Sequence, residues 1–139
     1  MTNWLLIGSV QNWKLAVELS VWGLSASHKK SWEALIHGDT IFLYATVPVK
    51  GVIGYGTVIG KKIQERPIWE EEREIDSALW PLHIYFEIRA CLPPDNWETN
   101  SIRVPKNIPL RRAIQRLKDE IAEELVVTFK KLGDIEGKG

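Results

Sequence analysis

The 139-residue sequence contains one cysteine, one methionine, and only three phenylalanines and three tyrosines. With Cys91 alone, no internal disulfide and no cysteine-based zinc cluster can form, and its place in an alternating apolar run makes it a small core residue. No apolar run approaches the roughly 20 residues of a membrane span. Residues 1–30 lack the basic start, apolar stretch and small-residue cleavage site of a secretory signal, so the expected location is the cytoplasm with no membrane partner. Excess charge is also missing, since eighteen basic residues balance eighteen acidic ones. That balance excludes the strongly basic footprint of a sequence-independent DNA binder and predicts weak non-specific phosphate affinity. There is no glycine-rich phosphate loop ending in Lys-Ser/Thr, no nucleophile elbow and no HExxH. His28, His37 and His83 are scattered without ligand spacing and read as surface residues, so no metal, cofactor or catalytic residue is expected.

What the chain has is tryptophan: seven of them, Trp4, Trp13, Trp22, Trp32, Trp69, Trp80 and Trp97. The length suits one domain, and 45% hydrophobic with 26% charged residues is a globular composition. Asn3 to Ile7 reads as a buried strand and Gln11 to Leu19 as a short helix. Val21 to Ser27 is a loop carrying Trp22, and Ser27 caps a second short helix over His28 to Ile36. Thr40 to Val47 is a central strand. Gly51 to Gly60 has strand composition with four glycines, which predicts bulges and a tightly curled sheet or small barrel. Lys61 to Leu79 is a polar, acidic surface excursion with a short helix. Residues 82–92 alternate, which places Leu82, Ile84, Phe86, Ile88, Ala90 and Leu92 on a core face and His83, Tyr85, Glu87 and Arg89 on a wet one. From Ile108 to Leu132, apolar residues at three- and four-residue steps predict one long helix, followed by a flexible tail or linker over 134–139. That helix carries Arg111, Arg112 and Arg116 in its first turns, against the macrodipole, which calls for a compensating anion.

Trp22, Trp69 and Trp80 fall between the periodic segments where core tryptophans belong. A nucleobase presents flat π-faces and a polar edge, so a site for one needs aromatic plates and a short amide or hydroxyl, for which Asn12, Ser25 and Ser27 are available. The competing reading makes all seven tryptophans packing anchors.

The order of motifs adds a resemblance. NWLLIGS, Gln11-Asn12-Trp13, Val21-Trp22-Gly23, Gly38-Asp39 before TIFLYA, GVIGYGTV and Trp80-Pro81 together resemble the EVE domain family, which is PUA-like. The chain is also distantly similar to YTH domains, where an Asn about ten residues before a Trp, a glycine-marked strand and a later Pro-Ile-x-Trp build a methyladenine pocket. Here Asn12 stands ten positions before Trp22, and Pro67-Ile68-Trp69 fits the later tryptophan with one residue fewer. The resemblance covers about residues 2–92 and implies an α+β domain over 1–133. Its PUA-like core would be a strongly curled mixed sheet or pseudo-barrel flanked by short helices, with the helix over 108–132 behind it. It further implies that Trp22 and Trp69 are two plates facing across a slot, that Leu79 or Trp80 closes it, and that Asn12 touches the base edge. Gly23 would read the base through its backbone, and Leu24 and Ser25 would complete the pocket.

The function so implied is a nucleic-acid-binding module that reads a modified, methylated base of DNA or RNA. Lys29, Lys30, Lys61, Lys62, Arg66, Arg111 and Arg112 would offer phosphate contacts. EVE-like domains also occur as recognition modules of methyl-dependent restriction systems. Two alternatives stand beside this reading. One is a small hydrolase of modified nucleosides like ASCH relatives, using Glu33 or Glu70 with Lys30; the other is a non-catalytic interaction domain that pairs through its last helix, although a monomer is expected.

Overall fold

The computed structural model describes the backbone of residues 1–138 and the side chains through residue 132. β1 (Asn3–Gly8) leads into α1 (Val10–Leu19), β2 (Val21–Leu24), a 3-10 turn (Ala26–His28) and α2 (Lys29–Ala34). β3 (Thr40–Ala45) and β4 (Gly51–Ile63) follow, then α3 (Glu70–Ile75) and β5 (Leu82–Cys91). A second 3-10 turn (Pro94–Asn96), α4 (Trp97–Asn100), β6 (Ile114–Leu117) and α5 (Asp119–Lys138) complete the chain.

The strands form one six-stranded mixed sheet in the order β2-β5-β4-β3-β1-β6. β1 runs parallel to β3, with Asn3 opposite Thr40, and the remaining pairs are antiparallel. Register slips at Leu43/Tyr44 and Val58/Gly60 leave Ile53 and Ile59 as extra residues in β4, and the slip at Tyr55/Gly56 leaves Arg89 extra in β5, which bends the sheet into a curled half-barrel. Glycine is needed there because β5 comes so close. A Cβ on Gly54 would lie 2.5 Å from the Ala90 carbonyl oxygen, and one on Gly56 would lie 2.6 Å from that of Glu87. Both faces of the sheet are buried: Leu5 and Phe42 lie on one, Leu6, Ile41 and Leu43 on the other, and all are fully buried. α5 buries Ala122, Leu125 and Phe129 on the face that carries Phe42 and Tyr55, with the Phe129 ring 5.9 Å from that of Tyr55. A buried carboxylate ties the first strand down: Asp39 accepts from the Thr2 amide (3.1 Å), the Trp4 indole N–H (3.0 Å) and the Ile36 amide (3.1 Å). No described helix is long and apolar enough to cross a membrane.

Four expectations are corrected. The helix expected from residue 108 begins only at Asp119, and Ile114–Leu117 is the edge strand β6, paired antiparallel with β1. Ile114 and Leu117 are three apart and satisfy helical spacing, but β1 would otherwise expose a row of unpaired backbone groups, and the strand supplies their partners. Starting at Asp119 also puts Asp119 and Glu120 in the first turn, in accord with the macrodipole, and leaves the arginines outside the helix. Val21–Leu24 is the strand β2, paired with the start of β5, and not a loop. α2 has no side-chain cap, because the Ser27 hydroxyl is 2.7 Å from that of Ser25. His83 is 1% exposed, since the outer face of β5 is covered at its start by Trp69, whose ring centroid lies 5.6 Å from the imidazole. The expected tail over 134–139 falls outside the described side chains, and Gly139 outside the described backbone.

Candidate functional site

α1 begins immediately after β1, with the Ser9 hydroxyl accepting from the Asn12 amide at 3.1 Å to cap it. This tight connection presents Asn12 and Trp13 over the end of β1, beside Trp22 of β2. A cavity of about 320 Å³ opens there, lined by Gly8, Asn12, Trp22, Gly23, Leu24, Ser25, His28, Trp69, Glu71, Trp80 and Ala113, with Ile7 and Ser9. Seven of the eight residues expected around a base therefore share one cavity, although they come from segments far apart in sequence. Leu79 is the exception. It is 40% exposed and outside the lining, because the chain turns so that Trp80 closes that side.

The rings do not form two facing plates. Trp22 and Trp69 meet edge to face, with centroids 6.0 Å apart and planes at 75°. A base sandwiched between parallel rings needs them about 7 Å apart, twice the ~3.5 Å stacking distance. Trp22 instead stacks on Trp13, at 3.7 Å and 11°, and so one of its faces is taken. Trp69 stands nearly perpendicular to Trp80 as well, at 5.8 Å and 87°. Trp69 is thus the central panel of an aromatic box, with Trp22 and Trp80 set across it. Both Trp22 (6% exposed) and Trp69 (2%) also belong to the core, so packing and cavity lining are roles of the same rings.

Each panel is fixed. The Trp13 indole N–H donates to the Tyr44 carbonyl at 2.8 Å, and that of Trp69 donates to the Asn12 carbonyl at 3.2 Å. A Cβ on Gly8 would lie 2.2 Å from Cη2 of Trp22, and one on Gly23 would lie 2.8 Å from Cζ3 of Trp69, so both glycines give the rings their room. Glu72 of α3 is fully buried. Its carboxylate accepts from the amides of Ile68 (2.9 Å), Trp69 (3.2 Å) and Trp80 (3.0 Å), and so ties two walls of the box to one side chain.

Two polar atoms of the lining residues have no partner among the described residues: the Asn12 Oδ1 acceptor and the Trp22 Nε1 donor. Both nitrogens of His83 are unpartnered too. Burial lowers the imidazole's pKa below its ordinary value, opposed by the Glu72 carboxylate and the Trp80 backbone, which favours a neutral ring behind Trp69. Burial also pushes the Cys91 thiol up to about 11, which disfavours its thiolate.

The expected cations divide by position. Lys29, Lys30, Arg111 and Arg112 are exposed, and Lys30 and Arg112 line a groove together with Trp4 and Arg116. Lys61 is committed elsewhere, donating to the carbonyls of Trp32 (2.8 Å) and Glu33 (3.2 Å) with its ammonium 4.9 Å from the Trp32 ring centre. Lys62 and Arg66 are exposed but line neither the cavity nor the groove. Glu33 and Glu70, the carboxylates considered with Lys30, also lie outside the cavity lining.

No family model and no curated protein sequence matches the chain. Its fold does match solved structures. Rpa0253 from Rhodopseudomonas palustris superposes over 95% of both chains, with a TM-score of 0.60 and 14% identity. The YTH domain of Mmi1, solved in complex with RNA, matches 94% of this chain and 78% of its own, with a TM-score of 0.60 and 10% identity. The ASCH protein of Zymomonas mobilis matches 90% of this chain and 94% of its own, with a TM-score of 0.59 and 16% identity. The curled six-stranded sheet with its short helices and C-terminal helix is therefore the PUA-like fold that YTH and ASCH domains share.

Proposed function

We propose that the chain is a nucleic-acid-binding module that holds one modified, methylated base in the tryptophan box. The observation that carries this is the pair of orphaned atoms buried in residues that line the cavity, the Asn12 Oδ1 acceptor and the Trp22 Nε1 donor. A buried polar group without a partner costs about 1–3 kcal/mol, so a ligand that supplies one donor and one acceptor to these side chains recovers that cost. The edge of a base offers such a pair, and its ring and methyl group suit the indole walls. At about 320 Å³ the cavity takes one base and not a stacked run, so the base must be unpaired or flipped. RNA bound by the Mmi1 YTH domain, which has the same fold, supports the choice of ligand class. The resemblance to EVE domains extends the proposal to the recognition module of a methyl-dependent restriction system.

Binding is preferred to hydrolysis because the cavity lining holds one carboxylate, Glu71, and no lysine. The hydrolase reading needs a carboxylate beside a lysine. Tryptophan fluorescence titrations with single-stranded oligonucleotides carrying one methylated base, against unmodified controls, test the proposal. Tighter binding of the methylated strand is expected. Equal affinity removes the modified-base reading, and no binding to either removes nucleic acid as the partner.

A further inference from the structure

We infer that the strand attached to the held base leaves the cavity on one side only, along the groove between α2 and β6, where Lys30, Arg112 and Arg116 receive its phosphates. The inference rests on the base-reading proposal and adds a direction to it. Arg116, which the resemblance did not mark, becomes part of the site.

The cavity and the groove are built by the same two segments. His28 and Ala113 line the cavity, while Lys30 and Arg112, one or two residues along, line the groove. A chain whose base enters the first runs directly onto the second. All three cations are exposed, and none takes part in an ion pair among the described residues. The Arg116 guanidinium lies 5.2 Å from the centre of the Trp4 ring, and Trp4 is held by Asp39, so the charge sits over a fixed platform. The groove thus offers unneutralised positive charge on a prepared surface, although the whole chain has no net charge.

The other exits are unfavourable. Glu71 lines the cavity on the α3 side, and Glu70 and Glu74 of the same helix are exposed beside it. A phosphodiester leaving there meets like charge. Lys61, on the strand side, already spends its ammonium on two carbonyls. Charge is therefore distributed around the mouth so that it admits a polyanion from one direction.

The test compares two double variants of equal charge change, Arg112→Gln with Arg116→Gln and Lys62→Gln with Arg66→Gln, against a methylated single-stranded oligonucleotide over a range of salt. Each phosphate contact on a single strand contributes about 0.7 to the slope of log K against log salt, so the first variant should lower the slope by about 1.4 and the affinity at 0.1 M salt by roughly 10- to 30-fold. The second should match the unmodified protein. A free methylated nucleoside, which has no phosphate, should bind all three proteins alike. An unchanged slope in the first variant, or equal loss in both, overturns the one-sided track. If the unmodified protein does not distinguish methylated from unmethylated strands while the first variant still loses slope, the track survives and the base reading fails. An acidic peptide that competes as well as the oligonucleotide overturns nucleic acid as the groove's occupant. Should the arginine pair fail to fold, Lys30→Gln provides the same comparison, with an expected slope loss of about 0.7.

Discussion

Glu72→Gln exchanges one atom of a fully buried side chain whose two oxygens accept amides from two separate segments. Oε1 serves Ile68 and Trp69, and Oε2 serves Trp80. If the glutamine keeps its oxygen on the first pair, its amide nitrogen faces the Trp80 N–H, donor against donor. The reverse orientation sets the nitrogen against two amides and is worse. The smaller loss, one hydrogen bond to a charged acceptor, is about 1.5–3 kcal/mol. For a domain near this size, about 2–4 °C of melting temperature follows each kcal/mol, so the variant should melt about 3–12 °C lower. Trp80 should be released first while Trp69 keeps its place, so oligonucleotide affinity should fall in variant protein that is still folded. Glu72→Ala leaves three amides without an acceptor and should cost more, about 3–5 kcal/mol. Thermal unfolding by circular dichroism measures the first effect and fluorescence titration at 15 °C below the variant's midpoint the second. Glutamine melting within about 1 °C of the parent, or melting lower with affinity intact, would refute the claim that this carboxylate holds the walls.

Other outcomes follow from the same geometry. Trp22→Phe removes the orphaned Nε1 but keeps a ring on Trp13, so affinity for the methylated strand should fall about fivefold, or ~1 kcal/mol, beside the stability lost by shrinking a core ring. Titration well below the variant's melting midpoint separates the two, and unchanged affinity there would show that the nitrogen does not meet the base. Gly8→Ala drives a methyl into the buried Trp22 ring and should cost about 1–3 kcal/mol and shift the fluorescence maximum, whereas an unaltered spectrum would mean the ring has room to yield. His83 is held below its unfolded-state pKa of 6.5 by burial, so below that pH the unfolded chain takes up the proton more readily than the native one. Stability is then complete above about pH 6.5 and declines as pH falls below it; His83→Phe should flatten melting temperature against pH between 7.5 and 5.5, and an identical slope would assign the decline to other groups.

The strands from Thr40, Gly51 and Leu82 were legible because β-branched runs, glycine spacing and alternation are local properties. The start of the last helix was not, since Ile114 and Leu117 fit helical spacing equally well and only the open edge of β1 selects the strand. The order of motifs singles out Asn12, Trp22, Trp69 and Trp80, and one cavity gathers them. Their orientation was out of reach. The stack of Trp13 on Trp22 depends on how α1 lies against β2, and no spacing encodes an angle between rings. His83 was misplaced because strand alternation describes one sheet face, while the cover on the other arrives from Trp69, fourteen positions earlier in the chain. Glu72 was hidden in an acidic run, where a buried carboxylate looks like its solvated neighbours. Its one signal is a place three residues after Trp69, the capping-box interval, with tryptophan where serine or threonine ordinarily marks the motif.

The pairing of β6 with β1 has a consequence for synthesis. The second residue pair of that ladder joins Trp4 to Arg116, more than a hundred positions apart, so a chain emerging from the ribosome carries β1 with one flank bare until residues 114–117 have been made. Arg112, Ala113 and Arg116 arrive in that same late segment. On the proposed track, a nascent chain therefore has its indoles and Lys30 before it has Arg112 and Arg116, and the phosphate groove is complete only at the step that also seals the sheet.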